Sequence, residues 1–246
     1  MPRPIHLSVF FPCYNDAQTI ADLVEDALAI LKKITNSYEV IVVDDGSRDT
    51  SKQILKELLK KHTQLRVVSH KKNQGYGGAL KSGFKAARGN YIFYTDGDGQ
   101  YDVKELPLLF KALKNNVSFV NGVKMNRSDP IYRVVIGKLY NFVVRLLFLL
   151  PLKDINCDFR LLKADLIKNV SFQSRSGTIC IELVKKAQKN GAVFAQVPIH
   201  HYPRRFGKSQ FFRPKKILKT MYELVILWTA LMIIDNLTKL TSVFLV

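Results

Sequence analysis

Residues 91–100 read Tyr91-Ile-Phe-Tyr-Thr-Asp96-Gly-Asp98-Gly-Gln100, an apolar run that stops at two carboxylates one residue apart, followed by an amide. Neighbouring carboxylates repel, so a strand end carries two of them at a cost unless a cation or a hydrogen-bond network offsets it. An oxygen-only set with small spacers suits Mg²⁺ or Mn²⁺, which take a few carboxylates and complete their shell with phosphate oxygens of a substrate. Gly97 and Gly99 carry no Cβ, so a ligand can approach the backbone closely. Taken alone, the stretch reads equally well as a polar Asp-Gly turn. A helix–loop–helix calcium site is not expected, because the Asp-x-Asp-x-Asp-Gly spacing with a distant Glu is absent.

Working outward from this stretch, the first half alternates strands and helices. Leu7-Ser-Val-Phe-Phe11 is a short apolar run, and Ile20, Leu23, Val24, Ala27, Leu28 and Leu31 then share one helical face. Glu39-Val-Ile-Val-Val-Asp44 reads as a second strand, with a helix over 51–61. Leu65-Arg-Val-Val-Ser69 reads as a third, followed by a glycine-rich turn and a helix to about Ala87. Asn90–Thr95 is the fourth strand, and 103–113 a further helix. Buried runs separated by amphipathic helices predict right-handed crossovers and an α/β fold, its mostly parallel sheet covered on both faces. Such sheets bind ligands at the carboxyl ends of their strands. The unusual residues sit at four of those ends: Pro12–Asp16, Asp44–Ser47, Asn73–Gly78 and Asp96–Gln100. Four strand ends converging on one crevice are harder to explain as solvated turns than any one alone.

Composition narrows the partners. The 246 residues carry a net charge of +18, with 47% hydrophobic and 24% charged residues. The content is that of an ordinary globular chain, but the charge predicts attraction to phosphorylated substrates, nucleic acid or an acidic membrane surface. Cys13, Cys157 and Cys180 are odd in number and far apart, so neither a disulfide framework nor a zinc site is indicated, and a reducing compartment fits. Cys157 and Cys180 are expected to be small core fillers. Met1–His6 is too short for a signal peptide before the first strand, which points to a cytoplasmic location.

From Leu183 to Tyr222 there is no acidic residue but ten Lys or Arg. A nucleic-acid surface is not expected, since no binding motif accompanies these charges. Ile217–Ile234 is strongly apolar, and its uninterrupted core, 224–234, is well short of the ~20 residues a spanning helix needs. Basic residues leading into an apolar helix that contains Trp228 fit an interfacial helix on an anionic membrane. Leu139–Leu152, broken by Asn141 and Arg145, is expected to be an ordinary buried helix, or else a segment that helps receive a lipid chain.

Pro12-Cys-Tyr-Asn15-Asp16, Val43-Asp44-Asp45-Gly46-Ser47-Arg48-Asp49, Asn73-Gln-Gly75-Tyr-Gly77-Gly78-Ala79 and Asp96-Gly-Asp98-Gly-Gln100 occur in order. So do Asp154-Ile-Asn-Cys-Asp158-Phe-Arg160-Leu and Val197-Pro198-Ile199-His-His-Tyr-Pro-Arg204-Arg205-Phe-Gly207-Lys-Ser209. Together, over roughly residues 5–212, the set resembles the GT-A, family 2 glycosyltransferases, most closely the dolichyl-phosphate mannosyltransferase and polyprenyl-phosphate glycosyltransferase branch. The resemblance implies a GT-A (Rossmann-like) domain over 1–212 and a basic, apolar juxtamembrane helical segment over 213–246. It also implies Mg²⁺ or Mn²⁺, a nucleoside-diphosphate sugar of the GDP-mannose or UDP-glucose type as donor, and a polyprenyl phosphate as acceptor. The location it implies is the cytoplasmic side of a membrane, as a peripheral or monotopic protein.

By the same resemblance, Pro12, Tyr14 and Asp16 line the base and ribose pocket, Asp16 being one methylene shorter than the usual Glu. Asp45 contacts the nucleoside, with Val43 beside it and Gly97 near the donor. Asp96, Asp98 and Gln100 hold the metal and through it the diphosphate. Arg204 and Ser209 match a basic loop that closes on the phosphates, with Gln210 where relatives often carry Lys. Lys124 stands where relatives often place an Arg for the acceptor phosphate; it keeps the charge but loses the bidentate fork, which leaves Arg127 and Arg133 as further candidates.

Acceptor chemistry supports a phosphate independently. A hydroxyl acceptor needs a general base, usually a carboxylate, whereas a phosphate monoester is already anionic. Family members that glycosylate hydroxyls often carry a Glu-Asp pair opening the late helix; here the region reads Ser176-Gly-Thr-Ile-Cys-Ile-Glu182-Leu-Val. The expected reaction is a single displacement with inversion. Transfer to a saccharide hydroxyl, and a non-catalytic nucleotide-sugar or membrane-binding protein, stand as alternatives.

Overall fold

A computed structural model describes residues 6–125, 131–204, 206 and 214–234, with the side chains of 133, 214–217 and 234 outside the description. Alternation at period two builds its layers. In β1 (His6–Cys13), Leu7, Val9 and Phe11 enter one core and Phe10 the other. β2 (Ser37–Asp44) repeats this, with Val40 and Val42 on one face and Ile41 and Val43 on the other. Strands buried on both faces read as continuous apolar runs, as these do. β3 (Leu65–Ser69) and β4 (Tyr91–Thr95) complete the expected set, and α1 (Ile20–Ile34), α2 (Ser51–Lys61) and α3 (Tyr76–Ala86) connect it.

The helix expected over 103–113 is a 3-10 turn, Val103–Glu105, running into the short α4 (Leu106–Ala112). Asp102 accepts from the Lys104 amide at 2.9 Å and starts the turn. Pro107, which has no N–H to donate, sits where α4 begins.

β5 (Phe119–Met125), α5 (Ile131–Phe148), β6 (Phe159–Lys163), α6 (Ile179–Lys189) and β7 (Phe194–His200) follow. The seven-stranded sheet has the order β3-β2-β1-β4-β6-β5-β7. The pairs β1–β2, β2–β3, β1–β4 and β5–β7 are parallel; β6 lies antiparallel between β4 and β5. The sheet is thus mostly parallel, and the carboxyl ends of β1, β2 and β4 share one edge. α1, α2 and α4 cover one face. α3, α5 and α6 cover the other, joined by α7 (Pro214–Trp228) and a π-helical turn, Thr229–Ile234.

The C-terminal helix packs against this second core. Leu227 and Leu231 are buried in it, Trp228 Nε1 donates to the Leu147 carbonyl at 2.9 Å, and Lys189 Nζ donates to the Leu231 carbonyl at 2.6 Å. α5 departs from the expected buried helix. Val144 and Phe148 face the core, but Leu139, Phe142 and Leu146 are 62%, 63% and 65% exposed. The reason lies in its sequence, which is apolar around most of its circumference while only one stripe meets the sheet. Among the described residues no helix is long and apolar enough to cross a membrane.

Candidate active site

The turn after β4 is held from two sides. Thr19, just before α1, donates its hydroxyl to the Gly97 carbonyl at 2.7 Å. A Cβ on Gly97 would stand 2.5 Å from the Pro12 carbonyl oxygen, so the β1 and β4 ends approach as closely as only glycine allows. Tyr14 donates its amide to Asp16 Oδ2 at 2.9 Å. Asn15 adopts φ 58, donates its amide to Ser47 Oγ at 3.0 Å and accepts from the Arg48 amide at 2.8 Å. These bonds lock the β1 loop to the β2 loop. A cleft of about 860 Å³ opens beside them, lined by Tyr14, Asp16, Arg48, Gln53, Asp98 and Arg204 among others.

Carboxylates crowd this edge. Asp96 Oδ1 accepts from the Tyr76 hydroxyl at 2.7 Å. Asp98 Oδ1 accepts from the Gln100 amide at 3.0 Å, and its Oδ2 accepts from Arg204 Nη2. Burial pushes Asp96 well above the carboxylate range, and the charges of Asp158 and Asp98 add to the effect. Burial likewise raises Asp98, although Arg204 opposes it. Asp16 is pushed up to about 6 by burial and by Asp98, against the Tyr14 amide and Arg204.

Behind Asp96 lies a buried layer. Arg160 is fully buried and donates Nε to Asn121 Oδ1 at 2.8 Å, Nη1 to the Tyr94 hydroxyl at 2.6 Å and Nη2 to the Ile155 carbonyl. Asp158 stands 3.4 Å from Arg160 Nη1 and accepts from Cys180 Sγ at 3.0 Å. Cys157 and Cys180 are buried free thiols pushed far up by burial.

The expected site residues fall into distinct groups. Asp16, Asp98, Arg204 and Tyr14 line the cleft, and Asp96, Gly97 and Gln100 belong to the same turn. Val43 does not line it; its side chain is fully buried in the core between strands, facing α3. Asp45 is only 3% exposed. Its Oδ1 meets His70 Nδ1 at 2.6 Å and the Gln74 amide at 2.8 Å, while its Oδ2 accepts from the Gly75 amide at 2.9 Å. The glycine-rich loop therefore spends these amides on Asp45. Lys124 is not a free cation either. Its side chain is 5% exposed, Nζ donates to the Asn156 carbonyl at 2.5 Å, and Asp154 lies 3.8 Å away, because the segment before β6 folds back over it. Arg127 and Ser209 lie outside the described residues, as does the side chain of Arg133.

Sequence reasoning assigned no role to Tyr76, Asp158 or His70. Tyr76 and Asp158 stood inside the quoted motifs, but only the fold brings them to Asp96.

Residues 8–171 match glycosyl transferase family 2. The chain belongs to this family. Among its relatives is an undecaprenyl-phosphate 4-deoxy-4-formamido-L-arabinose transferase of Pseudomonas fluorescens (strain Pf0-1), 27% identical over 91% of this chain and 65% of the relative. The corresponding transferase of Pectobacterium atrosepticum is 29% identical over 89% of this chain and 66% of its own length. The chain thus spans a little under two thirds of these curated relatives. Among solved structures, glucosyl-3-phosphoglycerate synthase from Mycobacterium tuberculosis with Mn²⁺, UDP and glucosyl-3-phosphoglycerate aligns with a TM-score of 0.70 at 18% identity, over 92% of this chain and 79% of that one. The same enzyme with Mg²⁺ and UDP aligns at 0.69, also at 18% identity and over the same shares of the two chains. These similarities establish the GT-A glycosyltransferase fold.

Proposed function

We propose that this family 2 protein transfers a sugar, with inversion, from a nucleoside-diphosphate sugar to a polyprenyl phosphate at an anionic membrane surface. The observation that carries the reading is the carboxylate cluster of Asp16, Asp96 and Asp98 at the carboxyl edge of the sheet, opening on a cleft faced by Arg204. The relatives named for undecaprenyl phosphate support the acceptor class, and the solved neighbours with UDP support the donor class.

The donor set fits a divalent cation. Asp96, Asp98 and the side-chain oxygen of Gln100 are hard ligands on one turn. A few such oxygens suit Mg²⁺ or Mn²⁺, whose shell phosphate oxygens of the donor would complete. When bound, the ion stabilises negative charge on the departing diphosphate. Tyr76 orients Asp96, Thr19 fixes the turn, and Arg204 presents a planar donor fork to the phosphates. Tyr14 and Asp16 bind the nucleoside end, and Asp45 acts by holding the 70–75 loop in place. A phosphate oxygen of the acceptor attacks the anomeric carbon as the bond to the diphosphate breaks. Arg127 and Arg133 are assigned to that phosphate on sequence alone. Glu182, the one acid of α6, is fully buried and accepts from the Gln173 and Ser174 amides at 2.8 Å. It is not a free base for a hydroxyl acceptor, which favours the phosphate.

The membrane surface is supported by α5 and α7. Both expose apolar side chains, and α5 carries Arg133, Lys138 and Arg145 with no acid. Residues 213–246 are assigned to a juxtamembrane segment, of which Leu227 and Leu231 pack on the domain.

A panel of radiolabelled nucleotide sugars with undecaprenyl or dolichyl phosphate, read by lipid extraction, tests the reading. Label in the lipid phase is the expected result; label only in aqueous polymer rejects the acceptor.

A further inference from the structure

Both carboxylate oxygens of Asp98 accept a hydrogen bond. Oδ1 accepts from the Gln100 amide at 3.0 Å, and Oδ2 accepts from Arg204 Nη2. The segment that delivers this guanidinium is strapped to the same turn. Tyr202 donates its amide to the Gln100 carbonyl at 2.9 Å, and Gln100 Nε2 donates back to the Tyr202 carbonyl at 3.2 Å. Upstream, His200 donates its amide to Glu105 Oε2 at 2.9 Å and meets Oε1 through Nδ1. Residues 200–202 are thereby fixed against the Asp98 turn, and Arg204 has only two residues to span. The Asp98 side chain is 12% exposed and that of Arg204 is 31%. A charge-assisted bond in such a half-closed site is stronger than one in open water. A cation that approaches Asp98 Oδ2 meets the guanidinium's positive charge and competes with it for that oxygen.

We propose that Arg204 is a built-in competitor for the divalent cation. It neutralises Asp98 until the ion takes that oxygen, and the exchange releases the guanidinium toward the nucleoside diphosphate. The inference rests on the metal-dependent reading above. Two consequences distinguish it from a plain phosphate-binding role. The free protein binds the ion more weakly than its carboxylates alone would, and ion and diphosphate bind with positive coupling, because the diphosphate gives the displaced guanidinium a new partner.

The test uses the full chain and Mn²⁺ alone, with the unbound ion read by electron paramagnetic resonance. Arg204→Gln is expected to bind Mn²⁺ about tenfold tighter than wild type. Arg204→Lys, which keeps the charge without the fork, falls between the two and serves in its place if the Gln variant unfolds. Asp98→Asn is expected to lose the ion. With Mn²⁺ saturating, Arg204→Gln binds UDP more weakly than wild type. An Arg204→Gln affinity for Mn²⁺ equal to or below wild type overturns the proposal. Failure of every variant to bind Mn²⁺ overturns it together with the metal role. Tighter binding in Arg204→Gln without sugar transfer by wild type removes the catalytic reading and leaves the competition standing.

Discussion

Tyr76 donates its hydroxyl to Asp96 Oδ1 at 2.7 Å, tying the first turn of α3 to the carboxyl end of β4. The bond fixes a carboxylate that burial and two neighbouring carboxylates would otherwise favour protonating. Tyr76→Phe keeps the ring and removes only this donor. The expected result is a fall in kcat of about tenfold with stability changed by no more than ~1 kcal/mol. Steady-state kinetics under saturating Mn²⁺, paired with urea unfolding, checks both halves. An unchanged kcat would mean that Asp96 is oriented by something else.

Asp98→Ala removes one of the two proposed carboxylate ligands and leaves Arg204 unpaired. Transfer is expected to drop to background, and EDTA is expected to do the same to wild type, with recovery on adding Mg²⁺ or Mn²⁺. Wild-type transfer that continues at full rate in EDTA would sink the metal role.

Much of this was legible in the chain itself, and the boundary is physical. The strands of the first half announce themselves because a parallel sheet buries both faces of Val40-Ile41-Val42-Val43. The turn Asp96–Gln100 is visible because close carboxylates are costly. The antiparallel insertion of β6 was not visible, since pairing partners are set by tertiary contacts that local pattern does not encode. Lys124 illustrates the same limit. Its charge suggests a free cation, but only the fold-back of Asp154 and Asn156 reveals that it is spent. Tyr76 was hidden in a glycine-rich loop whose glycines drew attention first. For α5, apolar content argued for burial, whereas the number of faces a helix can bury depends on what surrounds it.

Glu182 connects acid stability to the loop before α6. Burial alone would raise its carboxyl, but the bonds from Lys186 and from the Gln173 and Ser174 amides outweigh it, and the net shift is downward from 4.5. A lowered folded value contributes stability that is complete above the unfolded value and is lost as pH falls through the folded one. Glu39, lowered by Ser8, Arg66 and Arg88 against its own burial, acts in the same direction. Glu182→Gln is expected to cost about 2 kcal/mol near neutral pH by placing an amide group against N–H donors. Urea unfolding from about pH 7 to about pH 4 should show the gap between wild type and variant narrowing as pH falls. A gap that stays constant would show that the charge on Glu182 is not what holds the loop.

The exposed face of α5 gives the most direct test of the membrane reading. Leu139, Phe142 and Leu146 lie at helical spacings of three and four, each more than 60% exposed, so they form one stripe facing away from the core. Burying a side chain of this size in an apolar phase is worth about 1.5–3 kcal/mol. Three together would dominate the binding of a helix lying in the headgroup region, with Lys138 and Arg145 adding attraction to anionic lipid. Leu139→Glu combined with Leu146→Glu is expected to lower co-flotation with anionic liposomes at least tenfold. Because both positions are exposed, the thermal unfolding midpoint should stay near wild type. Sugar transfer to a short, water-soluble prenyl phosphate should survive, while transfer to a long-chain lipid in vesicles falls. Flotation unchanged by both charges would place the membrane contact elsewhere and leave the stripe without a role in lipid binding.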